Sequence, residues 1–269
     1  MPSFDLTGRV AVVTGGYGTL GKSMAEGLAE AGAKVALLGR NAEKAKAAVA
    51  AFTGAGHEAM PLIADALDEG SLRDAASEVL GAWGRVDALV NAAGGNVARA
   101  RTDSGHVFGL PFDAFDEVVR LNLHASVYPS LVFGEAMAEA GTGSIVNISS
   151  MAAMQAISGV LGYSAAKAAI DNVTKWMAVD VARRGAPGVR VNAVAPGFFI
   201  ATQNRGVLLN DDGSYTDRAK TILAQTPAGR FGEPEELQGA VVWLCSDAAA
   251  FVTGAVIPVD GGFSSFSGL

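Results

Sequence analysis

Val10-Ala-Val-Val-Thr14 is a short apolar run that ends in Gly15-Gly16-Tyr17-Gly18-Thr19-Leu20-Gly21 and passes at once into an alanine-rich helical pattern from Lys22 to Ala31. Nothing else in the chain restricts its fold as tightly. A strand that is apolar on both faces needs cover on both, which a parallel sheet with helical crossovers supplies. Glycines let the backbone turn tightly, and the helix beyond them presents unpaired N–H groups and the positive end of its dipole. Strand, glycine turn and helix in this order form a cradle for a phosphate group. Without those flanks, a glycine cluster marks only a tight turn.

The same grammar repeats along the chain. Apolar runs near residues 9–14, 34–39, 58–63, 86–91, 143–149, 189–195 and 255–259 read as buried strands, separated mostly by helical patterns. Seven such strands with right-handed crossovers predict an α/β fold, a single Rossmann-like doubly wound domain whose seven-stranded parallel sheet carries helices on both faces. At 269 residues with 50% hydrophobic and only 17% charged residues, the chain can bury a large core, and residues 1–269 show no linker. Asp68 before Glu69-Gly70-Ser71 and Glu233-Pro234-Glu235-Glu236 mark helix starts, with early acids that complement the dipole. The alanine-rich stretch 42–51 reads as a surface helix. The least regular stretches, about 95–111 and about 197–230, follow strand ends, where a substrate loop and a lid belong.

Composition removes several classes. A formal net charge of −7 disfavours nucleic acid or an anionic membrane as partner, since both need clustered Lys and Arg. There is no run of eighteen apolar residues and no charged amino-terminal segment leading into an apolar one, so a soluble, cytoplasmic protein is expected. Cys245 is the only cysteine, which rules out an internal disulfide and suggests a buried structural thiol. His57, His106 and His124 have no metal-ligand spacing, and no metal site is expected.

Tyr163 and Lys167 stand four residues apart in a helical run, which places both side chains on one helix face. A fixed ammonium beside a phenol favours the phenolate and lowers its pKa, so the pair is suited to exchange a proton with a carbonyl or alcohol. Taken alone, the pair is also compatible with an exposed aromatic beside a solvated charge. Ser150 lies thirteen residues before Tyr163, after Ser-Ile-Val-Asn-Ile-Ser, and a hydroxyl at a strand's carboxyl end faces the crevice where open α/β sheets bind ligands.

Thr14-Gly15, Asn91-Ala-Ala-Gly94, Asn122, Ser150, Tyr163 with Lys167, and Pro196-Gly197 occur in the order and spacing of the short-chain dehydrogenase/reductase family, which the whole chain resembles. The family's usual turn reads Thr-Gly-x-x-x-Gly-x-Gly; here Thr19 occupies the middle glycine position. The resemblance implies an NAD(P)-dependent oxidoreductase that interconverts a ketone and a secondary alcohol. It implies that Tyr163 gives the proton, Ser150 hydrogen-bonds the same oxygen, and Lys167 holds the nicotinamide ribose while depressing the Tyr163 pKa. Asn122 then keeps a water in a proton relay, a role partly compatible with its being a buried structural residue. It further implies that Gly15, Gly16, Tyr17, Gly18, Thr19, Leu20 and Gly21 meet the pyrophosphate. Asn91 and Gly94 line the cofactor cleft, with Pro196, Gly197 and Ile200 at the carboxamide. A homo-tetramer or dimer is implied, with the closing segment Phe263–Leu269 as a candidate subunit contact.

In dinucleotide folds an acid at the end of the second strand pairs with the ribose hydroxyls, whereas an Arg accommodates a 2′-phosphate. Here Gly39 stands in the acid's place and Arg40 follows, which favours NADP over NAD, the other reading of Arg40 being a solvated surface charge. Asp65 matches a family acid at the adenine and equally suits a cap for the following helix. Segments 196–205, 226–234 and 259–264 resemble the family's D-mannonate oxidoreductase, or fructuronate reductase, branch. That branch implies a sugar-acid substrate, for which Asn96, Gln203 and Asn204 suit hydroxyls and Arg205 a carboxylate, with Arg99 and Arg101 in reserve. Arg205 also suits an ion pair on the lid. Two other functions are open: a reductase of another carbonyl class such as 3-oxoacyl thioesters, and a dinucleotide-binding sensor or scaffold without catalysis.

Overall fold

The computed structural model describes residues 3–102, 105–201 and 204–268. Its strands are β1 (Val10–Thr14), β2 (Lys34–Gly39), β3 (Ala59–Ile63), β4 (Ala88–Asn91), β5 (Gly143–Ile148), β6 (Val189–Pro196) and β7 (Val256–Val259). The helices are α1 (Thr19–Glu30), α2 (Ala42–Gly54), α3 (Glu69–Trp83), α4 (Phe112–Val119), α5 (Ala125–Ala140), α6 (Leu161–Arg183), α7 (Arg205–Leu208), α8 (Asp217–Ala224) and α9 (Gln238–Cys245). The seven strands form one parallel sheet in the order β3-β2-β1-β4-β5-β6-β7. The chain winds from β1 to one edge, then from β4 to the other. The reversal lies between β1 and β4, where Thr14 is in register with Asn91 and Thr14 Oγ1 accepts the Ala93 amide at 3.1 Å. Such a switch point opens a crevice at the carboxyl ends of the strands.

Alternation along each strand explains the unbroken apolar runs. Ala11 and Val13 join Val35, Leu37, Val90 and Val146 on one face, packed by Met24 and Leu28 of α1 and Val241 and Leu244 of α9. Val10 and Val12 join Ala36, Leu38, Leu89 and Ile145 on the other, covered by Leu72 and Val79 of α3 and Phe133 and Met137 of α5. Each fully buried Leu, Val or Phe contributes roughly 1.5–3 kcal/mol of transfer free energy, so the two faces stabilise one sheet from both sides.

Local signals act where they were read, with adjustments. Asp68 Oδ1 accepts the Ser71 amide at 2.7 Å and starts α3. Glu233 and Glu236 form a capping box, but the element they open is a 3₁₀ turn over Pro234–Leu237 that leads into α9. The first helix begins at Thr19 rather than Lys22, because Gly18 is its cap and the Lys22 amide already bonds the Gly18 carbonyl at 2.8 Å. The alanine-rich helix runs on to Gly54 and buries Ala45, Ala48 and Phe52. Between α4 and α5 the chain widens into a π-helical turn over Arg120–His124. Pro129, early in α5, offers no N–H to the carbonyl four residues before it, and the widened turn lies just upstream. Among the described residues no helix is long and apolar enough to cross a membrane, and no cluster of three His, Cys, Asp or Glu side chains is placed to hold a metal.

Candidate active site

The crevice at the carboxyl ends of the strands is a cleft of about 340 Å³. β5 delivers Ser149 and Ser150 to its wall, and the chain then turns through a single 3₁₀ turn for which Ser150 is the cap, its Oγ accepting the Ala152 amide at 3.1 Å. Tyr163 stands in the first turn of α6 and lines the same cleft. One turn later Lys167, only 4% exposed, donates from Nζ to the Ile148 carbonyl at 2.7 Å, and the same Nζ lies 5.5 Å from the centre of the Tyr163 ring. The sheet terminus and α6 thus lock a hydroxyl, a phenol and an ammonium together.

Electrostatics in this group correct one expectation. Burial pushes the Tyr163 phenol above its ordinary value, while the neighbouring Ser150 hydroxyl pulls it down. Lys167, whose ammonium is turned to the Ile148 carbonyl, is not among the groups that shift the phenol. Burial also lowers Lys167 itself to about 8, against the opposing charge of Asp171 one turn further along.

Asn122, fully buried in the π-helical turn, uses its whole amide on backbone groups. Nδ2 donates to the carbonyls of Gly95 and Val118, each at 2.8 Å, and Oδ1 accepts the Gly95 amide at 3.0 Å. It therefore clamps the loop after β4. Gly94 has φ of 152°, and a Cβ there would lie 2.7 Å from Asn122 Oδ1, so both conformation and close approach demand glycine. Asn91 is turned away from the cleft: it lies beneath the sheet's end, donating to Ser130 at 2.7 Å and Asn147 at 2.8 Å, and its Oδ1 meets no donor among the described residues.

The glycine turn after β1 is closely packed. Gly15 has φ of 63°, and a Cβ on it would stand 3.0 Å from the Ala93 backbone; on Gly21 it would stand 2.3 Å from the Gly15 carbonyl oxygen. Side chains are thus excluded by the packing of the turn itself, which brings the chain tightly into the amino end of α1. Gly18 caps that helix, and Thr19, the departure from the usual turn, is exposed as its first residue. Leu20 reaches the cleft wall. At the other end of this stretch Tyr17 leans over Gly39, and its hydroxyl accepts the Asn41 amide at 2.7 Å. Arg40 lies 3.8 Å from Asp65, whose Oδ1 also accepts the Leu67 amide at 2.9 Å, so Asp65 caps the turn before α3 while facing Arg40.

Asn96 and Arg101 line the cleft, and so do Pro196, Gly197, Asn204 and Arg218. A Cβ on Gly197 would stand 2.6 Å from Asp260 Cα, which explains glycine there. Ile200 packs instead with Leu208, Ile222 and Phe231. Asn204 spends its amide on its own loop, donating to the Phe199 carbonyl and accepting the Ala201 amide, both at 2.8 Å. Gln203 lies outside the described residues. Arg205 is exposed at the start of α7 and is not among the residues that line the cleft. Arg99 pairs with Asp113 at 2.5 Å on the surface. Arg218, which sequence reasoning missed, donates to the Ser158 carbonyl at 3.2 Å from the first turn of α8. The signal for it was present: Thr216 before Asp217 is a helix start, and Thr216 Oγ1 accepts the Ala219 amide at 3.2 Å. Phe263 packs edge-on against Phe198 at 5.2 Å, so the closing segment folds onto its own chain.

A glycine cradle at the switch point of a doubly wound sheet, with Ser, Tyr and Lys converging at the strand ends, defines a dinucleotide-binding oxidoreductase of Rossmann type. Residues 15–264 match the family described as enoyl-(acyl carrier protein) reductase. The chain is 44% identical over 275 residues, 98% of each protein, to the uncharacterised oxidoreductase UxuB of Bacillus subtilis. It superposes with a TM-score of 0.92 on a Haemophilus influenza protein provisionally described as a D-mannonate oxidoreductase and solved with bound NAD, at 37% identity and 98% coverage of both chains. A gluconate 5-dehydrogenase from Burkholderia cenocepacia, solved with NADP and tartrate, matches with a TM-score of 0.88 at 33% identity and 97% coverage of both. The chain belongs to the short-chain dehydrogenase/reductase family and is an NAD(P)-dependent oxidoreductase acting on CH–OH groups.

Proposed function

We propose that this oxidoreductase interconverts the keto and secondary-alcohol forms of a sugar acid of the D-fructuronate and D-mannonate kind. The observation that carries the reading is the cleft itself: Arg101, after β4, and Arg218, in α8, line it together with Ser150 and Tyr163, and its described lining holds no acidic side chain. In a chain of net charge −7, two guanidinium groups in one cleft favour an anionic substrate. A guanidinium has five N–H donors and matches a carboxylate fork, so each can serve the substrate beside its contacts within the protein. The Burkholderia relative's tartrate, a hydroxy acid, supports the same class. Segments 95–111 and 197–230 act in this reading as substrate loop and lid.

The nicotinamide, when bound, supplies or takes up the hydride. As a ketone is reduced, negative charge develops on its oxygen, and donors placed there lower the barrier. Tyr163 gives its phenolic proton to that oxygen and Ser150 holds it by a hydrogen bond. Burial keeps the phenol protonated, which suits an acid. Lys167, fixed on the Ile148 carbonyl, would orient the nicotinamide ribose. Asn122 holds the Gly94–Gly95 backbone against the cofactor side of the cleft.

The test is a panel of hexuronate keto acids and uncharged ketoses assayed by nicotinamide absorbance. Arg218→Ala and Arg101→Ala should each raise KM for the acid about tenfold or more, since a charge-assisted contact is worth ~1.5–3 kcal/mol, and leave uncharged ketoses nearly unaffected. Arg205→Ala should change little. A wild type that prefers uncharged ketones or acyl thioesters overturns the sugar-acid reading, and a wild type that binds dinucleotide but turns over nothing in the panel favours a sensor.

A further inference from the structure

We infer that Tyr17 occupies the place of the strand-end acid at the adenosine ribose and, with Arg40, selects a dinucleotide carrying a 2′-phosphate; the inference rests on the NAD(P) reading above. Gly39 ends β2 at the position where a carboxylate would pair with ribose hydroxyls. Its glycine is not a conformational need, because Gly39 is not among the residues of positive φ. The reason is Tyr17. A Cβ on Gly39 would lie 2.3 Å from the Tyr17 hydroxyl, 2.5 Å from Cζ and 2.6 Å from Cε1. A side chain at residue 39 and the phenol of Tyr17 in its present place therefore overlap, and one of them must move.

The phenol is held in this place from the backbone. Its oxygen accepts the Asn41 amide at 2.7 Å, and Asn41 is itself fixed as the cap of α2, its Oδ1 accepting the Lys44 amide at 2.9 Å. With that lone pair used, the phenolic O–H is left to donate. A donor at the ribose suits a phosphate oxygen, and the substitution of a phenol for an acid removes the carboxylate that would repel a 2′-phosphate. Arg40 follows directly, 71% exposed and 3.8 Å from Asp65, beyond hydrogen-bond length, so its guanidinium can turn to an incoming phosphate. Tyr17 thereby links the pyrophosphate turn and the ribose end of the site in one residue.

Fluorescence titration of the whole protein without substrate tests this, using NADPH, NADH, adenosine 2′,5′-bisphosphate and 5′-AMP. Tyr17→Phe should weaken NADPH and the bisphosphate about five- to tenfold and NADH and 5′-AMP less than twofold. Gly39→Asp alone should impair both dinucleotides through the overlap, whereas Tyr17→Ser with Gly39→Asp should remove the overlap and prefer NADH by tenfold or more. Equal losses for both dinucleotides in Tyr17→Phe, or a double variant that still prefers NADPH, overturns the inference while leaving the oxidoreductase intact. A wild type that binds neither dinucleotide overturns both.

Discussion

Replacing Asn122 by Leu removes one side chain and three bonds to backbone: two donated at 2.8 Å to Gly95 and Val118, and one accepted at 3.0 Å from Gly95. Leu branches at the same carbon and is somewhat larger, so no cavity is left and the loss is polar, with some overpacking added. At about 1 kcal/mol net per bond, with the penalty for leaving the half-buried Gly95 groups poorly satisfied, the variant should lose roughly 2–4 kcal/mol. Asn122→Asp separates the contributions. It keeps an acceptor for the Gly95 amide but turns a carboxylate toward two carbonyl oxygens, and should cost at least as much near neutral pH. Urea unfolding gives the free energies, and amide hydrogen exchange at Gly95 reports the clamp directly. A Leu variant within about 1 kcal/mol of wild type, with unchanged Gly95 exchange, would refute the clamp.

Lys167 should give stability a distinctive pH dependence. Below about 8 it is protonated in both states and the folded chain bears the cost of a buried ammonium; between about 8 and its ordinary 10.5 the unfolded chain binds more protons, so stability rises with pH. The rise is on the order of 3 kcal/mol across that interval and should be absent in Lys167→Met, as unfolding measured at several pH values will show; equal slopes would contradict it. Cys245, 1% exposed and pushed up to about 12 by burial, should resist a thiol reagent at pH 8 in the folded protein and react once in denaturant. Rapid labelling of the native chain would contradict that burial.

The sheet was legible because its strands are covered on both faces, so apolar runs such as residues 34–39 and 189–195 stand out without any partner in view. Caps were legible for a similar reason: Asp68 and Glu233 act on amides three residues away. What the sequence withheld is non-local. Arg205 follows the Pro196-Gly197 turn and looked well placed, but it stands exposed at the head of α7, and Arg218 reaches the cleft from the next helix. The Tyr163–Lys167 spacing was visible, whereas the Ile148 carbonyl that holds the ammonium comes from β5, nineteen residues before it. Asn91 shows the same limit: its strand end was read correctly, but strand pleating and the approach of Ser130 decide where its side chain points. The close approach of Tyr17 to Gly39 joins two turns that only the fold brings together.

The most direct test of the proposed mechanism is Tyr163→Phe, assayed for turnover of a hexuronate keto acid and, separately, for dinucleotide affinity. The ring keeps its packing while the proton donor at the cleft is gone. The account predicts a fall in kcat of about 100-fold or more with the dinucleotide Kd changed by less than about threefold. A variant that keeps a near-normal kcat, or one whose loss is explained entirely by failure to bind the dinucleotide, would contradict the assignment of Tyr163 as the acid.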